Sequence, residues 1–245
     1  MKNIHTVTDK LPVIILHGWA TTMSGQRYAQ LAKILEKNSM VFVPDLPGFG
    51  SEPLIKDVMD LDDYVDYVVA FMKKKNIKKA DFIGHSFGGR IAVKLAYVHP
   101  ELVGKLVLSG APLVRTQLSL KKTVAFFVAK SGKIGLQFFP GKAQRVLRKV
   151  LYRSIGEWDY YKAGNLQETF KRIINEDLAP ILPEIKTKTL LVWGQDDTFV
   201  PLVIARKIKT LLPDSDLKIV AHATHKLPYE NPETFADIVS KFLWT

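Results

Sequence analysis

Six short apolar runs, Pro12–Leu16, Met40–Val43, Ala80–Ile83, Leu106–Ser109, Thr189–Trp193 and Leu217–Val220, restrict this chain to few folds. Each is nearly continuous rather than alternating, as expected of strands buried on both faces. The stretches between them carry apolar residues at three-to-four spacing and predict helices over Gln26–Lys37, Leu61–Lys75, Phe87–Val98, Pro201–Leu212 and Pro232–Phe242. In the second of these, Tyr64, Val65, Val68, Val69 and Met72 form the apolar stripe. Strands alternating with helices imply an α/β protein with a doubly wound, mostly parallel sheet of about six to eight strands. A chain of 245 residues is long enough for one sizeable core but too short for several independent domains.

The alternation breaks after Leu108-Ser109-Gly110-Ala111-Pro112, where about seventy residues of helical character intervene before Thr189. The expected organisation is a core domain from residues 1–111 and 183–245, with a helical cap inserted at 112–182. This cap carries 13 Lys and Arg against 5 Asp and Glu, a net +8 of the chain's formal +11. Concentration of the excess in one stretch argues against a nucleic-acid groove, and fits either a solvated helical surface or a docking face for an acidic partner or anionic lipid. There are no cysteines, which excludes disulfides and thiolate metal sites. Residues 1–10 lack the apolar core of a secretory signal, and no run approaches the ~20 apolar residues needed to cross a bilayer, so a cytoplasmic protein is expected.

The residues Gly84-His85-Ser86-Phe87-Gly88 join a strand to a helix. A serine at such a sharp turn needs small residues two before and two after it, because a Cβ there would clash. The turn lifts the hydroxyl above the strand ends, and the N–H groups of the following helix point toward developing negative charge. A serine hydroxyl becomes a useful nucleophile only when a base takes its proton, and the base needs an acid to fix its tautomer. Two later loops offer these groups. Gly194-Gln195-Asp196-Asp197-Thr198-Phe199-Val200-Pro201 follows the fifth apolar run, and His222-Ala223-Thr224-His225-Lys226-Leu227-Pro228-Tyr229-Glu230-Asn231-Pro232 follows the last. In a parallel sheet both emerge at the same carboxyl edge as Ser86.

The serine turn, the acid loop with Gly194, Asp197 and Pro201, the His225 loop with Glu230 and Pro232, His17-Gly18-Trp19, and Asp45-Leu46-Pro47-Gly48-Phe49-Gly50-Ser51 together resemble the α/β-hydrolase superfamily of serine esterases. The resemblance implies Ser86 as nucleophile, His225 as general base and acid, and Asp197 as the acid orienting His225. It also implies an oxyanion hole from the backbone N–H groups of Trp19 and Phe87, with His17 supporting that loop. Asp196 reads as a turn or helix cap and His222 as a strand-end residue, while His85 is expected to pack beneath or beside the turn without a catalytic step. Relatives commonly carry two extra strands before the histidine-glycine pair. Here only sixteen residues precede His17, so a leading hairpin is expected to be reduced or missing.

This machinery requires no cofactor, and no metal-like spacing such as HExxH is present. Serine rather than aspartate at the turn disfavours dehalogenases and epoxide hydrolases of the superfamily. The expected activity is a carboxylesterase acting on small to medium acyl esters, with Trp19, Phe126, Phe127, Phe138 and Phe139 as pocket candidates. A second expectation comes from similarity to the pimeloyl-carrier-protein methyl ester esterases, which implies an acidic carrier docking on Arg145, Arg148, Lys149 and Arg153. Carbon–carbon bond hydrolysis and a non-catalytic binder are weaker alternatives.

Overall fold

The computed structural model describes residues 10–19, 25–114 and 166–244. The chain divides into two compact units, Met1–Val114 with Asp177–Thr245, and Arg115–Glu176. The expected cap at 112–182 falls largely on residues outside the described ones, as do Phe126, Phe127, Phe138, Phe139, Arg145, Arg148, Lys149 and Arg153. Within the second unit the described helix is α4 (Gln167–Asn175), where Thr169 and Ile173 are buried. The expectation about a leading hairpin concerns residues 1–9 and also lies outside the description.

The first unit is built on one sheet of β1 (Val13–Leu16), β2 (Val41–Phe42), β3 (Ala80–His85), β4 (Val103–Ser109), β5 (Thr189–Gly194) and β6 (Ser215–Val220), in the order β2-β1-β3-β4-β5-β6. Every pairing among the described residues is parallel. All six apolar runs become strands, and β1, β3 and β5 are buried along their whole length. Strand β6, at one edge of the sheet, is instead buried only at Ser215 and exposes Asp216, Lys218 and Ile219, as suits a sheet edge.

Helices α1 (Ala29–Leu35), α2 (Leu61–Lys74), α3 (Phe87–Val98), α5 (Leu202–Leu211), the short α6 (Leu227–Glu230) and α7 (Pro232–Leu243) surround the sheet. Successive strand residues point to opposite faces, so β1 divides its side chains between two cores. Val13 and Ile15 join Ile83, Val107, Leu190 and Val192 in a cluster closed by Leu31 and Leu35 of α1 and by Phe235, Val239 and Leu243 of α7. Ile14, Leu16, Phe82, Leu106 and Leu108, also buried, lie on the other face. Helix α2 starts at a capping box in which Asp60 and Asp63 each accept the other's backbone N–H, which stabilises that end by about 1 kcal/mol.

Candidate active site

The carboxyl ends of β1, β3, β4, β5 and β6 deliver His17-Gly18-Trp19, Ser86, Gly110, Asp197 and His225 to a common edge. Ser86 stands between β3 and α3 with φ 51° and ψ −112°, a left-handed backbone that costs a non-glycine residue about 1–3 kcal/mol. Its N–H donates to Ser109 O at 2.9 Å, and its carbonyl accepts from Gly89 N–H at 3.1 Å, so the turn is fixed at both ends. A Cβ on Gly84 would lie 2.6 Å from Gly89 Cα, and one on Gly88 would overlap the Leu16 carbonyl. Both glycines are therefore required by close approach, as the turn geometry predicts. Phe87 begins α3, so its N–H is among the donors that helix geometry leaves open at this edge.

The two acids of the loop differ in burial and contacts. Asp196 is exposed, whereas the Asp197 side chain is 1% exposed. Oδ1 of Asp197 accepts the N–H groups of Phe199 (2.9 Å) and Val200 (2.8 Å), while Oδ2 accepts Nδ1–H of His225 at 2.9 Å. That bond leaves the lone pair of His225 on Nε2, the tautomer a base needs. The loop is clipped to the core by Trp193, fully buried in β5, whose Nε1–H donates to Val200 O at 2.8 Å. His222 is exposed with φ 56° and takes no part. Among the described residues no hydrogen bond joins Ser86 Oγ to His225, whose Nδ1 is held by Asp197; such bonds often form only around substrate.

His17 is buried and neutral, its pKa lowered to about 4 chiefly by burial. Leu46 N–H donates to its Nε2 at 2.9 Å, so the proton lies on Nδ1, which donates to Gly18 O at 2.8 Å. The imidazole thus ties the Asp45–Ser51 loop to the loop carrying Trp19. Asp45 binds the same region from outside, accepting Gly25 N–H through Oδ1 and Ser51 N–H through Oδ2. The Trp19 ring packs edge-on against Phe49 (4.9 Å between centroids) and Phe87 (5.2 Å), and Tyr64 packs edge-on against Phe87 (4.9 Å). An aromatic wall therefore stands beside the serine, made by residues of four separate segments.

Three residues escape sequence reasoning. Gly110 has φ 58°, and a Cβ there would lie 2.7 Å from Nδ1 and Cε1 of His225; its place directly after a strand was the available signal. Phe199, 58% exposed, stacks on the His225 ring at 5.2 Å and 27°. Tyr28 donates its hydroxyl to His85, a contact 57 residues apart that no local pattern announces. His85 itself is buried beneath the turn, 3% exposed, within the expected placement beneath or beside it. Among the described residues no group of three or more His, Asp or Glu is placed to hold a metal ion, and no helix is long and apolar enough to cross a membrane.

A family model described as the alpha/beta hydrolase family matches residues 13–238. A 2-hydroxy-6-oxononadienedioate/2-hydroxy-6-oxononatrienedioate hydrolase of a Pseudomonas species is 26% identical over 257 residues, covering 94% of this chain and 87% of that protein. A 2-hydroxy-6-oxo-6-phenylhexa-2,4-dienoate hydrolase of Burkholderia cepacia is 27% identical over 256 residues, covering 94% and 87%. In structure, an alpha/beta hydrolase enzyme from a Medee basin deep-sea metagenome library superposes with a TM-score of 0.74 at 20% identity, covering 98% of this chain and 92% of that one.

Proposed function

Since the chain belongs to the alpha/beta hydrolase family, we propose that it is a serine hydrolase that attacks a substrate carbonyl with Ser86, using His225 as base and Asp197 to orient it. The observation that carries this reading is the Asp197–His225 pair at the sheet edge where Ser86 is held in a left-handed turn. In the first half-reaction the Ser86 O–H proton passes to His225 Nε2 as the oxygen bonds to the carbonyl carbon. The resulting oxyanion meets the N–H groups of Phe87 and Trp19, fixed dipoles that need no reorganisation and are each worth ~3 kcal/mol of the barrier. His225 then returns the proton to the leaving alkoxide, and an acyl-enzyme remains. Water repeats the sequence in the second half, releasing the carboxylic acid and restoring Ser86.

Carboxylic esters are the first substrate class for this site, because an alkoxide protonated by His225 leaves readily and no group beyond the three side chains is required. The names of the relatives favour a second reading, hydrolysis of a carbon–carbon bond beside a ketone in a dienoate. There the departing carbon leaves as a delocalised dienolate and takes up a proton, while the acyl half follows the same course. The test is a comparison on the purified protein: p-nitrophenyl butyrate against 2-hydroxy-6-oxo-6-phenylhexa-2,4-dienoate, each with Ser86→Ala as control. A fluorophosphonate probe should label Ser86 in the wild type only. Hydrolysis of either compound that persists in Ser86→Ala would overturn the proposed nucleophile.

A further inference from the structure

A hydrogen-bonded chain runs beneath Ser86 and ends on the two loops that flank it. Gly18 N–H donates to Tyr28 Oη at 3.2 Å, Tyr28 O–H meets His85 Nδ1 at 2.7 Å, and His85 Nε2 meets the carbonyl oxygen of His225 at 2.8 Å. A carbonyl can only accept, so the imidazole proton lies on Nε2 and Nδ1 accepts from Tyr28, giving every bond the same sense. Tyr28 and His85 are 2% and 3% exposed, and each of their side-chain polar atoms is engaged in this chain. Buried polar atoms must find partners, yet any nearby backbone would serve that need. Here the partners are the oxyanion loop on one side and the backbone of the proposed base on the other. Tyr229 packs edge-on against both rings, at 5.6 Å from Tyr28 and 5.8 Å from His85, closing the assembly. Gly18 comes so near that a Cβ would lie 2.9 Å from His85 Nδ1.

We propose that Tyr28 and His85 are a positioning pair that fixes the spacing between the oxyanion loop at Gly18 and the histidine loop at His225. The proposal rests on the serine-hydrolase reading above, and adds to it residues that never touch substrate. A rigid connection is useful because negative charge gathers at one loop and positive charge at the other during attack, and a displacement of about 1 Å can cost on the order of 10²-fold in rate. The pair acts by geometry rather than by moving protons, since burial holds His85 neutral, its pKa lowered to about 3. Neutrality matters because the His85 and His225 rings lie 4.8 Å apart, and a charged His85 would oppose protonation of its neighbour.

The test uses Tyr28→Phe, which keeps the ring and removes the middle of the chain, with His85→Phe and His85→Gln. Rates on p-nitrophenyl butyrate are expressed per Ser86 titrated with fluorophosphonate, so that unfolded protein is not counted. Tyr28→Phe should lower kcat about tenfold, the size of one lost hydrogen bond, with KM within about twofold and Tm lower by roughly 5 °C. His85→Phe should lower kcat on the order of 10²-fold, and His85→Gln, which offers one donor and one acceptor, should restore most of it. In 15N–1H spectra of the imidazoles, His85 should stay neutral with its proton on Nε2, and the His225 Nδ1–H signal should shift in Tyr28→Phe. The proposal is overturned if kcat per titrated site is unchanged in Tyr28→Phe and His85→Phe, whatever happens to Tm, or if the His85 proton lies on Nδ1. A wild type that is not labelled at Ser86 would instead overturn the hydrolase reading, and the pair's role with it.

Discussion

Asp197 and His225 are joined at 2.9 Å by a carboxylate whose other oxygen is already committed to two backbone N–H groups, those of Phe199 and Val200. This division of labour predicts what an amide would do. In Asp197→Asn the carbonyl oxygen stays with the two N–H donors, and the NH2 group turns to His225. Nδ1 must then accept, the proton moves to Nε2, and the imidazole can no longer act as a base. Turnover of p-nitrophenyl butyrate should fall on the order of 10³- to 10⁴-fold in kcat/KM with the fold intact. Asp196→Asn, at an exposed position, should stay within about twofold. Equal losses in the two variants would reverse the assignment.

Gly110 guards the other side of the same ring. Alanine there meets both a φ of 58° and a contact of 2.7 Å with His225, so either the backbone or the imidazole must shift. Gly110→Ala should cost about 1–3 kcal/mol in urea unfolding and on the order of 10²-fold in kcat, with little change in KM. Full activity in this variant would show that the ring has room to move without consequence.

Phe199 offers a contrast, because it covers His225 without supporting the core. Its ring is exposed yet stacked on the imidazole. Phe199→Ala should leave Tm almost unchanged and reduce kcat/KM by roughly two- to tenfold, the worth of one aromatic contact of about 0.5–1.5 kcal/mol. A large fall in Tm would place Phe199 in the structural core instead.

Three buried titratable groups set the response to acid. Asp81, held by burial at a pKa raised to about 6 from 3.8, accepts Lys105 N–H at 2.7 Å at the amino end of the sheet. His17 and His85, lowered by burial to about 4 and about 3, stay neutral where the unfolded chain would protonate them. Between pH 6 and 4 unfolding therefore binds two protons at the histidines and releases one from Asp81, so stability should fall with pH by about 1.4 kcal/mol per unit. Asp81→Asn keeps an acceptor for Lys105 and cannot carry the buried charge. It should be more stable than wild type by about 1–2 kcal/mol at pH 8, with the advantage gone by pH 4 and the acid limb about twice as steep. Urea titrations at the two pH values decide this, and a destabilised Asp81→Asn at pH 8 would show the carboxylate to be favourably paired.

How far the sequence foretold these arrangements depends on the range of the interaction. The strands were visible because burial on both faces demands unbroken apolar runs, and the order of β1 to β6 along the chain followed from them. Ser86 and the glycines around it were visible because a tight turn constrains neighbours two residues away. Asp197 and His225 stood in loops at the right ends of strands, though only the backbone donors of Phe199 and Val200 explain why Asp197 is chosen over Asp196. The bond between Tyr28 and His85 was missed because it joins positions distant in sequence, and neither residue type signals a partner by itself. Arg145, Arg148, Lys149 and Arg153, expected to meet an acidic partner, lie outside the described residues.

The indole of Trp193 has a consequence for how this protein would tolerate change. By donating to Val200 O, a fully buried side chain near the carboxyl end of β5 also sets the height of the loop that carries Asp197. Repacking the interior and retuning the chemistry are thus one operation at this position. At the opposite rim of the sheet, as at Asp81, substitutions would be screened for folding alone, whereas those around Trp193 would be screened for turnover as well.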